Sequence, residues 1–380
     1  MTRARPPARS PTPLVATAAR PLFVLLVAAS LLAGIAGGLL RAGIAWPLAA
    51  DAALMGQAGL SHAALMMSCF LGTVIAIERA VAIKLRAAFA APIASGAAGV
   101  LLLAGQVAPA AWALVFAALV FVAVNVVVVI RQAAAHTTVL LVGAFAWLIG
   151  NVLFAAGLGS GATLPWWFAM LVLTIAGERL EMTRLMRRHA AAQPALIAIL
   201  LALLAGAAGS AAWPAAGGVI YGGALAALAA WLGVFDIARR TVLAHGLSRY
   251  MAVCLLSGYV WLALAGVAWA ATALGWPARD LALHALGLGF IFSMVMGHAP
   301  VILPAVARIK LRFGAHFYAP LLLLHASLVL RLGLGFADHD WRAIGAIMNA
   351  VAIAFFAATV AGSAIVWTTR GGQPAPTKTP

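Results

Sequence analysis

The sequence predicts an all-α integral membrane protein with about twelve transmembrane helices. The first observation is composition, since 65% of the 380 residues are hydrophobic, only 8% are charged, and the mean hydropathy is +1.08. The second is the recurrence of apolar runs of about 18–25 residues, the length that a bilayer core requires. The third is the position of Lys and Arg between those runs. A soluble domain does not need so much apolar surface, so a polytopic helical bundle is predicted.

The chain is predicted to form one transmembrane domain over residues 20–367. The Pro- and Arg-rich residues 1–19 and the polar residues 368–380 are predicted to be disordered tails. The predicted spans lie near 21–40, 60–82, 88–107, 110–130, 137–157, 165–181, 195–212, 217–236, 250–273, 281–306, 317–334 and 344–367.

The distribution of positive charge predicts that both termini are cytoplasmic. With that orientation, 20 of the 24 Lys and Arg residues fall on the cytoplasmic side, as the positive-inside rule requires. The net charge of +16 is then explained by topology, so the expected partner is the lipid bilayer and not a nucleic acid.

Cys69 and Cys254 lie within apolar runs, which argues against a disulfide framework.

Four histidines within predicted spans are the first candidates for a site, because ionisable groups are costly in a bilayer and usually face the protein interior. The topology places His62 and His284 at a similar depth near the outer surface, and His298 and His325 near the inner surface. His284 and His298 are 14 positions apart on one span, so they should face roughly the same way, about 21 Å apart along the axis. Two levels of paired imidazoles suit a haem or metal role, whereas the alternative is that these histidines only hydrogen-bond neighbouring helices.

A copper site is a further possibility from the neighbours of these histidines. His62, Met66 and Cys69 share one face of an uninterrupted helix, and Met294 precedes His298 by four positions. Thioether, thiolate and imidazole ligands suit Cu(I), although methionine is also an ordinary packing residue.

Charged residues at the span ends suggest further roles. Glu78-Arg79 and Glu178-Arg179 end the second and sixth spans in similar segments, TVIAIER and TIAGER, which indicates an internal repeat of four helices or a chance likeness. These glutamates either form local ion pairs or contact lipid headgroups, or they admit protons. Arg331, two turns from His325, either extends to the membrane surface or binds a haem propionate.

The order of these features resembles the NnrS family, polytopic bacterial membrane proteins that contain haem and copper and are associated with nitric oxide metabolism. The likeness rests on Arg20-Pro21 before an apolar helix, on His62, on the segment LHALGLGFIFSMVMGH (283–298) and on Arg331 after LLHASLVL. The chain departs from the family at Ser61-His62-Ala63-Ala64-Leu65, where the family has Trp-His-x-His-Glu, and it lacks the family's Gly-His-Thr-Gly-Arg turn.

The resemblance implies a protein of the bacterial cytoplasmic (inner) membrane that binds haem b, and possibly copper, and acts in nitric oxide or redox stress. The predicted cofactor-binding residues are His62, His284, His298, His325 and Arg331, and the predicted metal ligands are His62, Met66, Cys69, Met294 and His298. The alternative function is a proton- or ion-coupled transporter that uses its intramembrane His and Glu. The sequence leaves open whether the protein turns over a substrate and which oligomer it forms.

Overall fold

The computed structural model describes residues 20–44, 51–182 and 190–369, and every regular element in those ranges is helical. Within them, twelve helices are long and apolar enough to cross a membrane, as predicted. The predicted tail 1–19 and residues 370–380 of the second tail lie outside the described residues. Thr368 and Thr369, predicted to belong to that tail, continue the last helix.

We number these twelve helices α1 to α12 in chain order. They are Pro21–Arg41 (α1), His62–Ile83 (α2), Arg86–Leu103 (α3), Val107–Arg131 (α4), Ala135–Ala155 (α5), Ser160–Met182 (α6), Ala192–Ala212 (α7), Pro214–Phe235 (α8), Gly246–Ala273 (α9), Arg279–Val306 (α10), Ala315–Phe336 (α11) and His339–Thr369 (α12).

The helices pack closely through small residues. A methyl group added at Gly206 of α7 would lie 2.5 Å from the backbone nitrogen of Tyr221 in α8, and one added at Gly266 of α9 would lie 2.6 Å from the backbone nitrogen of Ala226 in α8. Such contacts between backbones are typical of membrane helices, because lipid offers no hydrophobic driving force for helix association and close packing must supply it.

Helix α6 lies at the centre of the bundle. In the most apolar stretch of 18 residues of α6, 78% of the residues are buried, whereas the corresponding stretches of α2 and α10 are each 56% buried. A buried polar network attaches α2 to this centre: Trp147 donates to Ser68 Oγ at 3.1 Å, and Ser68 and Trp167 both donate to Oδ1 of Asn151. The amide nitrogen of Asn151 donates to the carbonyl of Leu114, so every polar group of this network has a partner inside the protein.

The two ends of the bundle differ in composition. The basic end carries Lys84, Arg131 and Arg240, and there Arg131 donates to the carbonyl of Ile83 at 3.2 Å. The tryptophan end carries Trp213 and Trp276, which are 72% and 67% exposed. A basic side and an aromatic belt are the two signals by which membrane proteins are oriented, and the cytoplasmic location of the basic end stays a prediction.

That orientation can be tested with reporter fusions in the two loops that flank α10. We expect a fusion after Gly275 to report the periplasmic side and a fusion after Phe313 to report the cytoplasmic side, because α10 crosses the membrane once between them. Paired alkaline phosphatase and fluorescent protein fusions measure this. Two fusions on the same side would contradict the span assignment of α10.

Candidate functional site

Two π-helical segments interrupt the membrane helices α2 and α10. They run over Leu65–Leu71 and Ala285–Phe292, and each begins within three residues after a histidine, His62 or His284. A π-helical turn contains an additional residue, is rare, and occurs frequently at functional sites. Uninterrupted α-helices were expected at both places, so neither segment was predicted.

The structure brings His62 and His284 together at the tryptophan end. Their ring centroids are 6.5 Å apart and their planes differ by 26°. Nδ1 of His62 lies 2.7 Å from the carbonyl oxygen of Gly34 in α1, so this nitrogen carries the ring proton and Nε2 is left as an acceptor. A methyl group added at Gly38 would lie 2.8 Å from Cε1 of His62, so only glycine lets α1 approach this ring so closely.

His284 is oriented by a carboxylate and a guanidinium. Its Nδ1 lies 2.9 Å from Oδ1 of Asp280, one helical turn earlier, and 3.1 Å from the carbonyl oxygen of the same residue. Nη2 of Arg331 lies 3.1 Å from its Nε2 and 3.3 Å from its Nδ1. With the proton of the neutral ring on Nδ1, Asp280 accepts from Nδ1 and Arg331 donates to Nε2.

Arg331 is buried and does not extend to the membrane surface, which was one of the two predicted roles. Its Nε and Nη2 donate to the two carboxylate oxygens of Asp280 at 3.1 and 2.9 Å, a bidentate pair. Nη1 lies 3.5 Å from Oδ1 of Asn349 in α12, and Asn349 in turn donates to Ser327. A methyl group added at Gly345 would lie 2.5 Å from Cβ of Arg331, so α12 packs directly on this arginine.

Asp280 and Asn349 are site residues that the sequence analysis missed. Asp280 lies just before the predicted start of its span and was therefore treated as a loop residue. The sequence does contain an indication that Asp280 belongs to the site. It lies four positions before His284, and on a helix that spacing places the two side chains on one face.

Of the predicted copper ligands, His62 and Met66 lie together against Gly34 of α1. The π segment after His62 adds a residue to the turn and rotates later side chains by about 100° from their α-helical positions. Cys69, which follows the additional residue, packs against Gly99 of α3. Met294 contacts Gly258 of α9. In the part of the chain that the structure describes, no group of three or more His, Cys, Asp or Glu residues could hold a metal ion.

His298 and His325 have separate partners and do not form the predicted inner pair. Nε1 of Trp261 donates to Nδ1 of His325 at 2.9 Å, and the two rings are parallel within 9°. Nδ1 of His298 lies 2.7 Å from the carbonyl of Met294, and its part of α10, Ser293–Val306, packs against Gly72–Ile83 of α2. His298 thus lies in the part of α10 that packs against α2, at a deeper level than His284.

At the basic end, the two Glu-Arg segments form ion pairs between helices, not the predicted local pairs. Arg79 lies 3.3 Å from Glu178, and Arg179 lies 3.7 Å from Asp236, whose side chain is fully buried. Burial raises the pKa of the Asp236 carboxyl above its usual value, and the Arg179 guanidinium and the Ala238 amide oppose that rise.

The Asp280–Arg331 pair should stabilise the tryptophan end through a coupled interaction. We expect Arg331→Gln and Asp280→Asn each to lower the midpoint of thermal unfolding in detergent, because each leaves a partly buried charge without its partner. The double variant should be less destabilised than the sum of the two, with a coupling of about 1–3 kcal/mol. Arg279→Gln, at an exposed neighbouring arginine, is the matched control and should change stability little. Strictly additive effects of the two substitutions would contradict this role.

Comparison with known proteins places the chain in a family. No curated protein and no solved structure matches the chain. One family model matches residues 20–365, which include His62, Asp280, His284 and Arg331. Because that match covers most of the chain and the whole site described above, the chain belongs to the family described as a domain of unknown function, DUF8744.

Proposed function

We propose that the protein binds a b-type haem between His62 and His284 and acts as a membrane haem protein in nitric oxide or redox stress. The observation that carries the proposal is the geometry of the two imidazoles. Two imidazoles bound to opposite sides of one metal ion, at about 2 Å from each ligating nitrogen, have ring centroids about 6 Å apart. The separation of 6.5 Å between His62 and His284 is close to that value.

The partners of both Nδ1 atoms support the same role. Histidines that bind a metal almost always donate their other ring N–H to a carbonyl or a carboxylate, which fixes the tautomer and the direction of the ring. Gly34 provides a carbonyl for His62, and Asp280 provides a carboxylate for His284. The candidate ligand atom of both rings is therefore Nε2, which in His284 lies 3.1 Å from Nη2 of Arg331.

The number of ligands favours haem over a copper ion held by the protein alone. The porphyrin supplies four nitrogen ligands, so a haem iron needs only two axial ligands from the chain. A copper or zinc site typically needs three or four protein ligands, and no cluster of three or more His, Cys, Asp or Glu residues that could hold a metal occurs among the described residues.

Positive charge next to the histidines suits the propionates of a haem. Arg331 is 9% exposed and lies against His284, and Arg41 at the end of α1 interacts electrostatically with His62. Guanidinium groups bind carboxylates strongly in such partly buried positions. A metal ion at Nε2 of His284 would require the Arg331 guanidinium to move, and its two bonds to Asp280 limit that movement.

A haem in this position would supply one-electron chemistry and an iron that binds small diatomic ligands when an axial position is open. The chain's own contribution is to fix both imidazoles in one tautomer and to surround them with apolar helices. The nitric oxide part of the proposal rests on the resemblance of 283–298 and Arg331 to the NnrS family.

A second candidate function is proton- or ion-coupled transport. The observation that favours it is the Arg179–Asp236 ion pair, since a fully buried carboxylate at a helix end is typical of proton and ion pathways. The presence or absence of bound haem distinguishes the two functions.

The absorbance spectrum of the purified protein tests the haem proposal. After expression with a haem supply, we expect a Soret band and the spectrum of a low-spin haem with two histidine ligands. His62→Ala and His284→Ala should each abolish the low-spin signal, and the surviving haem should bind nitric oxide more readily because one axial position is open.

His339→Ala is the control, because His339 is exposed at the same end of the bundle. It should leave the spectrum unchanged. A protein that is monodisperse but has no Soret band would refute haem binding and favour transport. A spectrum that survives both substitutions but is lost in His298→Ala or His325→Ala would refute the assignment to the outer pair.

A further inference from the structure

A cavity of about 430 Å³ lies between five helices at the tryptophan end of the bundle. It is bounded by the first residues of α6, α8 and α10 and by the last residues of α7 and α9. Leu164, Trp269 and Leu283 belong to its apolar wall. Binding sites for small ligands have volumes of about 300–1,000 Å³, so this cavity is large enough to hold one. Nothing in the haem proposal uses it.

Arg279 is the one charged side chain among the described residues that line the cavity. Its Nη2 donates to Oγ of Ser160 at 2.9 Å, and it forms no ion pair with any described residue. All eight Asp and Glu residues of the chain lie within the described ranges, so no acidic side chain elsewhere neutralises it. The adjacent Asp280 is bound by Arg331 and His284. The cavity therefore carries an uncompensated positive charge.

The first turns of α10 separate this cavity from the histidine site. Arg279 and Leu283 line the cavity, whereas Asp280 and His284 contact Arg331. Residues four positions apart share one face of a helix, and these two pairs are offset by about 100°. The cavity and the histidine pair are therefore served by different arginines and are distinct sites.

The indole N–H of Trp269 is a second, independent indication of a ligand. The buried tryptophans of the described chain all donate their indole N–H to a protein acceptor: Trp147, Trp167, Trp231 and Trp261. Trp269 lines the cavity with its ring against Phe168 and Tyr221, but its N–H has no hydrogen-bond partner among the described residues. Since the N–H of a tryptophan inside a protein usually finds an acceptor, a ligand in the cavity would supply it.

The polar groups of the cavity call for a ligand that brings acceptors and negative charge. The hydroxyls of Ser210 and Thr272 donate to carbonyls of their own helices, so the side-chain donors left for a ligand include Arg279 and Trp269. Helix α6 begins at Ser160 beside Arg279, and the first backbone N–H groups of a helix favour an anion. No acidic side chain among the described lining residues could bind a positively charged group.

The tryptophans beside the cavity place its charged end at the depth of the lipid headgroups. Trp213 directly precedes Pro214 of the cavity wall, and Trp276 lies three positions before Arg279. Both are largely exposed, and exposed tryptophans of membrane proteins concentrate at the level of the headgroups. Basic pockets between transmembrane helices are known to bind lipid headgroups. A lipid is therefore the source of negative charge that is nearest to this site.

We propose that the cavity binds one anionic phospholipid, with its phosphate at Arg279 and Trp269 and part of an acyl chain against Leu164 and Leu283. Guanidinium groups bind phosphate oxygens through charge-assisted and often bidentate hydrogen bonds. A headgroup without an ammonium group fits best, because the cavity offers that group no carboxylate. The site is independent of the haem proposal and is compatible with either candidate function.

Lipid titrations of the delipidated full-length protein in detergent test this inference, with native mass spectrometry and the midpoint of thermal unfolding as readouts. Phosphatidylglycerol should give one tightly bound lipid and a higher midpoint, because a ligand of the folded state stabilises that state. Phosphatidylethanolamine with the same acyl chains should bind more weakly, and diacylglycerol, which lacks the phosphate, should do neither. Arg279→Gln should weaken phosphatidylglycerol binding by about tenfold or more, because charge-assisted hydrogen bonds are lost. Trp269→Phe should weaken it less.

Arg342→Gln is the matched control, since Arg342 lies at the same end but outside the cavity and donates to the carbonyl of Gly335. It should keep the wild-type affinity for phosphatidylglycerol. Ala211→Trp places a large ring in the cavity from an exposed position and should abolish binding with Arg279 intact, so it decides the question if Arg279→Gln fails to fold.

Four results would overturn the proposal or part of it. Wild-type affinity in both Arg279→Gln and Ala211→Trp, or an equal loss in Arg342→Gln, would show that the lipid binds elsewhere. Equal binding of diacylglycerol would exclude the phosphate contact, and equal binding of phosphatidylethanolamine would exclude the preference for an anionic headgroup. Stabilisation by inorganic phosphate alone that depends on Arg279 would identify a soluble anion as the ligand in place of a lipid.

Discussion

The bidentate pair between Arg331 and Asp280 is the interaction on which the tryptophan end of the bundle depends. Neither charge is stable alone in apolar surroundings, so each holds the other in one position. The pair joins α10 to α11, and Asn349 brings α12 to the same arginine. Asp280 also accepts from His284 and so fixes the direction of that ring toward His62. The geometry of the histidine pair is therefore a consequence of an ion pair that neither histidine provides.

The number and length of the helices could be predicted from the sequence, whereas the rotation of their side chains could not. Span length follows from bilayer thickness and from the charges between spans, and both are visible in the sequence. Rotation is normally read from the alternation of apolar and polar residues around a helix. The π segments Leu65–Leu71 and Ala285–Phe292 are almost entirely apolar, so no alternation marks the additional residue. The clearest example is Cys69, which packs against α3 because of the additional residue, a rotation that no alternation of polar and apolar residues predicts.

The depth of each site residue followed from topology, but its partner depended on helix packing. His62 and His284 were expected at one depth because both of their helices run in the same direction, and the structure places them side by side. His298 and His325 were also expected at one depth. There, however, Trp261 of α9 donates a hydrogen bond to His325, whereas His298 contacts the carbonyl of Met294 in its own helix. Sequence does not reveal which of twelve helices are neighbours, so depth alone cannot assign a pair.

Helices α2 and α10 carry both polar levels of the molecule, and this makes the spacing within each helix important. His62 and Glu78 are separated by 16 positions in α2, and His284 and His298 by 14 positions in α10, with a π segment between the two residues in both cases. Loss or gain of one residue in either interval would rotate one level relative to the other by about 100°. The inner half of α2 and His62 could then no longer both pack against α10 as they now do. The two π segments are thus matched features, because each adds a residue to its helix close to the histidine pair and so sets the rotation of the remainder of that helix relative to the pair.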